Sequence, residues 1–199
     1  MELSRKRKTL DPCETCRLHR ERCICAQIPK LDLKARVCLI IHAKELKRTT
    51  NTGSLALHAL TNSEMFVRGR KDDQLNLTDS LSSQYESYVL FPSDDAVPIE
   101  TIRPTKPVQL FVSDGNWRQA SKVNQRQPEL SHLPRVKIQG RQLSSHHLRK
   151  EHFADGLSTI EAIAHALGAI EGLNVSEELM KLYQAKLRAT LIGRGIKDL

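Results

Sequence analysis

Thirteen residues near the start of the chain, CETCRLHRERCIC, carry four thiols: Cys13, Cys16, Cys23 and Cys25 in a C-x2-C-x6-C-x-C pattern. Zinc takes four soft ligands in a tetrahedron, so two close cysteine pairs supply a full donor set. Four protein ligands leave no open position, which makes such a site structural rather than catalytic. The competing states are unmetallated thiols and a disulfide pair. The leader MELSRKRKTLDP is basic and polar with no apolar stretch, so the expected setting is a reducing cytoplasm in which thiols stay available to metal. Arg17, Arg20 and Arg22 lie inside the loop, where their charge favours several thiolates together. His19 reads as a surface residue, and Cys38, within the apolar run ARVCLII, as a small core residue.

A second set of residues could handle protons and anions. In LFVSDGNW an apolar strand delivers Asp114 to a sheet edge, Gly115 frees the backbone to turn, Asn116 can cap the following helix, and Trp117, the only tryptophan, can wall a pocket. A carboxylate partly dried by an indole can serve as a general base. The competing reading is a plain Asp-Gly turn. Three further polar stretches leave predicted strand or helix ends. HAKELKRTTNTG places His42 and Glu45 on one face if helical, and lets Thr50, Asn51, Thr52 and Gly53 present hydroxyls and backbone N–H groups to an anion. FPSDDA follows another strand. LRKEHFADGLSTIEA ends in a helix start where Ser158, Thr159 and the helix dipole can meet an anion, with Arg149 able to pair with a carboxylate. Each stretch also fits an ordinary turn or cap.

Those residues need elements to hold them. Continuous apolar runs predict strands over 36–42, 64–68, 88–91, 108–112 and 134–138. Helices are expected over 54–60 (capped by Thr52 or Ser54), 118–126, 158–172 and 175–191. In the third of these Ile160, Ile163, Ala164, Leu167 and Ile170 recur at helical spacing, and Ser158 with Glu161 can form a capping box. Residues 71–84 and 93–107 read as loop, the first with weak helix. Strands alternating with helices predict an α/β fold: a mainly parallel, Rossmann-like sheet with helices on both faces, ligands binding beyond the strands' carboxyl ends. A basic tail with its small four-cysteine zinc loop over 1–30 would precede a larger domain over 31–199.

The chain has 199 residues and a formal net charge of +8. Residues 1–50 hold 13 Lys/Arg against 6 Asp/Glu, a balance of +7, so nearly all the excess surrounds the cysteines. A basic patch beside a zinc module points to a polyanion, nucleic acid foremost, with Arg5, Lys6, Arg7, Lys8, Arg20 and Arg22 as candidate phosphate contacts and a solvated tail as the competing reading of the first four. At 4% aromatic residues, extensive base stacking is not expected. No run reaches membrane-spanning length, and G-x-G-x-x-G, Walker A and G-x-S-x-G patterns are absent.

Taken in order, the cysteine cluster, TNTG (50–53), LFPSDDA (90–96), DGNW (114–117), LRKE (148–151) and STIEAIA (158–164) resemble the DTW-domain family of tRNA-uridine aminocarboxypropyltransferases. The family signature is D-x-T-W, and here Asn116 stands in place of the Thr. The resemblance implies a SPOUT-related fold with a knotted C-terminal half that holds S-adenosylmethionine. It implies transfer of the donor's 3-amino-3-carboxypropyl group to N3 of a tRNA uridine, releasing methylthioadenosine. On that reading Asp114 is the general base or orients N3–H, with Asn116 and Trp117 beside it. Thr52, Gly53, Leu90, Phe91, Pro92 and Ser93 line the cofactor pocket, and Arg149, Ser158 and Thr159 bind the donor's carboxylate. Two other functions fit the residues: a SPOUT-like RNA methyltransferase, and a non-catalytic zinc RNA-binding protein.

Overall fold

The structure, a computed structural model, describes residues 11–70, 75–115, 117–139 and 157–196, with Trp117 described only as part of its helix. Six strands form one sheet: β1 (Arg36–His42), β2 (Ser63–Arg68), β3 (Glu86–Leu90), β4 (Val97–Pro98), β5 (Val108–Asp114) and β6 (Arg135–Lys137). Their order is β2-β1-β5-β3-β6-β4, and all five pairings are parallel. The helices are α1 (Gly53–Ala59), α2 (Trp117–Arg126), α3 (Pro128–Ser131), α4 (Thr159–Glu171) and α5 (Leu173–Gly193).

Both faces of the sheet are covered, as continuous apolar strands require. Because side chains alternate along a strand, β1 sends Val37 and Leu39 to one face and Cys38 and Ile40 to the other. The first face packs against α1, α4 and α5 through Leu55, Ile160, Ile163, Leu167, Leu179 and Leu187. The second packs against α2 and α3 through Val123 and Leu130. Each fully buried Leu or Ile contributes about 1.5–3 kcal/mol relative to exposure. Cys38 lies in this core as expected: it is buried, Gln109 Nε2 donates to its Sγ at 3.1 Å, and burial pushes the thiol up to about 11.

The strands expected at 36–42, 64–68, 88–91, 108–112 and 134–138 all form, with ends shifted by one or two residues. The sixth, β4, lies inside the stretch expected as loop. It has two residues and pairs only with β6, too short for any apolar period to announce it. In residues 75–84, part of the other expected loop, a 3-10 turn spans Thr78–Ser80. The capping box at α4 is present: Ser158 Oγ accepts from Glu161 N–H, and Glu161 Oε2 accepts from Ser158 N–H at 2.8 Å. Such caps contribute about 0.5–2 kcal/mol. At α1 the N-cap residue is Thr52, but its hydroxyl makes no capping bond. Asn51 caps from one position earlier, its Oδ1 accepting from Ser54 N–H at 2.9 Å. No described helix is long and apolar enough to cross a membrane.

Candidate active site and metal centre

The strand order places one switch point in the sheet. β1 leads through α1 to β2 on one side, whereas β5 leads through α2 to β6 on the other. The chain therefore parts at the carboxyl ends of β1 and β5, where open parallel sheets leave a crevice for ligands. Asp114 ends β5 at this point, in register with Ile41 of β1.

Three elements converge on the Asp114 carboxylate, which is 8% exposed. After β1 the chain makes successive turns, with Glu45 N–H bonding to His42 O, Arg48 N–H to Glu45 O and Asn51 N–H to Arg48 O. These turns replace the helix that would have put His42 and Glu45 on one face. They deliver Asn51, whose Nδ2 donates to Asp114 Oδ2 at 2.6 Å. From the other side Thr159, at the start of α4, donates through Oγ1 to Asp114 Oδ1 at 2.5 Å. Thr52 Oγ1 accepts from Ile160 N–H at 3.4 Å, tying the two arms together.

Gly53 is part of this contact. A Cβ there would lie 3.1 Å from Asp114 Cγ and from Leu39 Cδ2, and 3.2 Å from Asp114 Oδ2. The carboxylate is held by Asn51 and Thr159 and Leu39 is fully buried, so neither can yield easily. Gly53→Ala is expected to cost about 1–3 kcal/mol in overpacking and to displace Asp114. The check is a denaturation midpoint. An unchanged midpoint would mean the contact relaxes freely.

Next to β5, β3 ends at Leu90, which packs on the same sheet face as Val112 and α4. A tight turn follows, with Ser93 N–H bonding to Phe91 O and Ala96 N–H to Ser93 O. Leu90 pairs with Val112, so the chain leaves β3 next to the strand that ends at Asp114. At the start of α4, Ser158 Oγ accepts from Glu161 N–H within the capping box and Thr159 Oγ1 donates to Asp114. Asn116, the Trp117 side chain and Arg149 lie outside the described residues, as do Arg5, Lys6, Arg7 and Lys8.

The four cysteines come together as their spacing predicts. Their sulfurs all lie within 4.8 Å of one another, with Cys13–Cys25 at 3.5 Å, Cys13–Cys23 at 3.6 Å and Cys16–Cys23 at 3.8 Å. Zn–S bonds of about 2.3 Å put tetrahedral sulfurs about 3.8 Å apart, so these edges fit a zinc ion and are too long for disulfides. The loop turns through Arg17, which has a left-handed φ of 60°. Backbone N–H groups of Cys16 and Thr15 then face Cys13 Sγ and, the Cys16 bond foremost, draw that thiol down to about 6. Burial acts oppositely on Cys25, pushed up to about 12. Cys16, Leu18 and Ile24 belong to the same buried cluster as the sheet. His19 sits at the surface, its Nδ1 accepting from Glu21 N–H. Arg20 pairs with Asp11 at 2.9 Å, and Arg22 lines an open groove between the cysteine loop and α5.

Sequence reasoning missed two things here. One is the clamp of Asn51 and Thr159 on Asp114. The other is a run of basic residues on the turns after β1, Lys44, Lys47 and Arg48, with Arg48 paired to the buried Glu45 at 3.1 Å. The string HAKELKRTT carried the signal for all three.

Residues 10–191 match the DTW domain. The chain belongs to the DTW-domain family. It is 27% identical over 167 residues to tRNA-uridine aminocarboxypropyltransferase 2 of Drosophila melanogaster, covering 80% of this chain and 66% of that protein. It is 25% identical over 185 residues to the Macaca fascicularis protein of the same name, covering 87% of this chain and 61% of that one. The chain thus spans less than two thirds of these relatives' lengths. Its fold is shared with the SAM-dependent rRNA:acp-transferase Tsr3 from Vulcanisaeta distributa, at a TM-score of 0.51 and 20% identity, over 82% of this chain and 80% of that one.

Proposed function

We propose that this DTW-domain protein transfers the 3-amino-3-carboxypropyl group of S-adenosylmethionine to N3 of a uridine in tRNA. The observation that carries the reading is the Asp114 carboxylate, clamped at the β1/β5 switch point between Asn51 and Thr159. Family membership and the names of the matched relatives supply the reaction class.

The donor's sulfonium supplies an activated carbon. Uridine N3 is a weak nucleophile until its proton leaves, and Asp114 takes or orients that proton. The N3–C bond forms as the C–S bond breaks, its electron pair goes to sulfur, and methylthioadenosine departs as a neutral thioether. Which carbon moves depends on which one the pocket aligns with N3. We assign Thr52, Gly53, Leu90, Phe91, Pro92 and Ser93 to the walls of the donor pocket, Trp117 and Asn116 to the flank of Asp114, and Arg149 to the donor's carboxylate. Ser158, at the start of α4, joins Arg149 at the donor's carboxylate, while Thr159 shapes the pocket by fixing α4 against Asp114. A knotted C-terminal half, the finer form of the fold, would bring α4 to this position.

Cys13, Cys16, Cys23 and Cys25 would hold a structural zinc ion, which supplies crosslinking rather than chemistry. Arg5, Lys6, Arg7, Lys8, Arg20 and Arg22 at that end, and Lys44 and Lys47 on the turns after β1, would meet tRNA phosphates. Five free cysteines suit a reducing cytoplasm. The test is to incubate protein, S-adenosylmethionine and a tRNA pool and to identify the nucleoside by-product. Methylthioadenosine supports the proposal and S-adenosylhomocysteine would replace it with methyl transfer.

A further inference from the structure

α5 carries its buried stripe at helical spacing: Leu179, Leu182, Tyr183, Lys186, Leu187, Thr190 and Leu191. Lys186 occupies a core position of that stripe and is 0% exposed. Its Nζ donates to the backbone carbonyl of Cys16. An ammonium has three N–H donors, and among the described residues no carboxylate lies within ion-pair distance of this one. Cys16, whose carbonyl it meets, carries a sulfur that lies within 4.8 Å of those of Cys13, Cys23 and Cys25. A buried cation without a counter-charge is costly, and breaking such a pairing is more so. Four thiolates around one zinc dication carry a net charge of −2, which the ammonium reduces to −1.

We propose that Lys186 is the built-in counter-cation of the four-cysteine metal centre, so that metal occupancy and docking of the cysteine loop on α5 are one thermodynamic event. The inference rests on reading the cysteines as a metal site and adds what that reading lacks, a charge partner 170 residues away in sequence. Cys16 is buried against this helix, and Leu18 and Ile24 join the same cluster, so the loop and helix share packing as well as charge. Lys186 is a positioning residue: it orients and balances ligands rather than binding the metal.

The test compares the full chain with Lys186→Met and Lys186→Gln. Gln keeps a donor for the Cys16 carbonyl without the charge, and covers the case in which Met fails to fold. Zinc affinity, measured by competition with a chromophoric chelator, is expected to fall about 10–100-fold in both, the range for lost outer partners of a metal site. Thermal melts give the sign. Stripped of metal, the variant should melt at or above the parent, because a buried charge has gone. With zinc it should melt below the parent. A merely structural lysine would lower both melts alike and leave zinc affinity unchanged, and that result overturns the proposal. Recovery of full affinity by Lys186→Gln would also overturn it, since a hydrogen bond would then suffice. A parent chain that binds no zinc removes the metal reading itself, whereas equal affinity in parent and variants removes only the role of Lys186.

Discussion

Asp114→Asn is expected to lower the turnover number for transfer to tRNA by about 10²–10⁴-fold, the range for removing a positioned proton acceptor. Donor affinity should change less. The amide keeps the shape of the carboxylate: its oxygen can still accept from Asn51 Nδ2, and its NH2 can donate to the Thr159 hydroxyl in place of the bond now running the other way. What it loses is the charge and the capacity to take a proton. Asp114→Ala is a different experiment. It leaves the buried Asn51 amide and the Thr159 hydroxyl without their acceptor, at about 1–3 kcal/mol for each unsatisfied group, and loosens α1 from α4. Donor binding and stability should then fall together with turnover. Near-normal turnover in Asp114→Asn, checked by steady-state kinetics alongside donor titration, would make Asp114 a fastener of the cleft and remove it from the chemistry.

The second large effect is expected at the other end of α1. Cys13→Ser or Cys25→Ser should sharply lower zinc content and cost several kcal/mol of stability, since apparent zinc binding in small structural sites runs to about 10–16 kcal/mol. The loss falls on the whole fold because Cys16, Leu18 and Ile24 are part of the main buried cluster. tRNA binding should weaken more than S-adenosylmethionine binding. α1 separates the two sites: Gly53 at its start touches Asp114, while Ala59 at its end accepts from Leu31 N–H at the base of the cysteine loop. Seven helical residues span roughly 10 Å, enough to disturb one site before the other. Metal analysis with separate donor and tRNA titrations checks this. Equal zinc in variant and parent, or equal loss of both ligands, would contradict it.

The parallel sheet was legible in the chain because its strands are buried on both faces and read as unbroken apolar runs such as VCLII and VQLFV. The α4 cap was legible because Ser158 and Glu161 are three residues apart. The cysteine cluster was legible because all its donors fall within one loop. What escaped involves partners far apart in sequence. Asn51 and Asp114 are 63 residues apart, and Thr159 and Asp114 are 45 apart; no local pattern announces such a meeting. Thr159 offered a hydroxyl suited to an anion, and the fold turns it to a carboxylate of its own. Lys186 is the sharpest case. A lysine in an amphipathic helix reads as a solvated charge, and only the packing of the cysteine loop reveals that it is enclosed.

The central claim is that a cleft organised around Asp114 directs one particular carbon of the sulfonium donor to a tRNA uridine. Mass spectrometry of tRNA nucleosides after incubation with the protein and S-adenosylmethionine tests it most directly. A uridine heavier by one 3-amino-3-carboxypropyl group, formed in step with methylthioadenosine, is the expected result. A methylated nucleoside, or a full tRNA pool left unmodified, would contradict it.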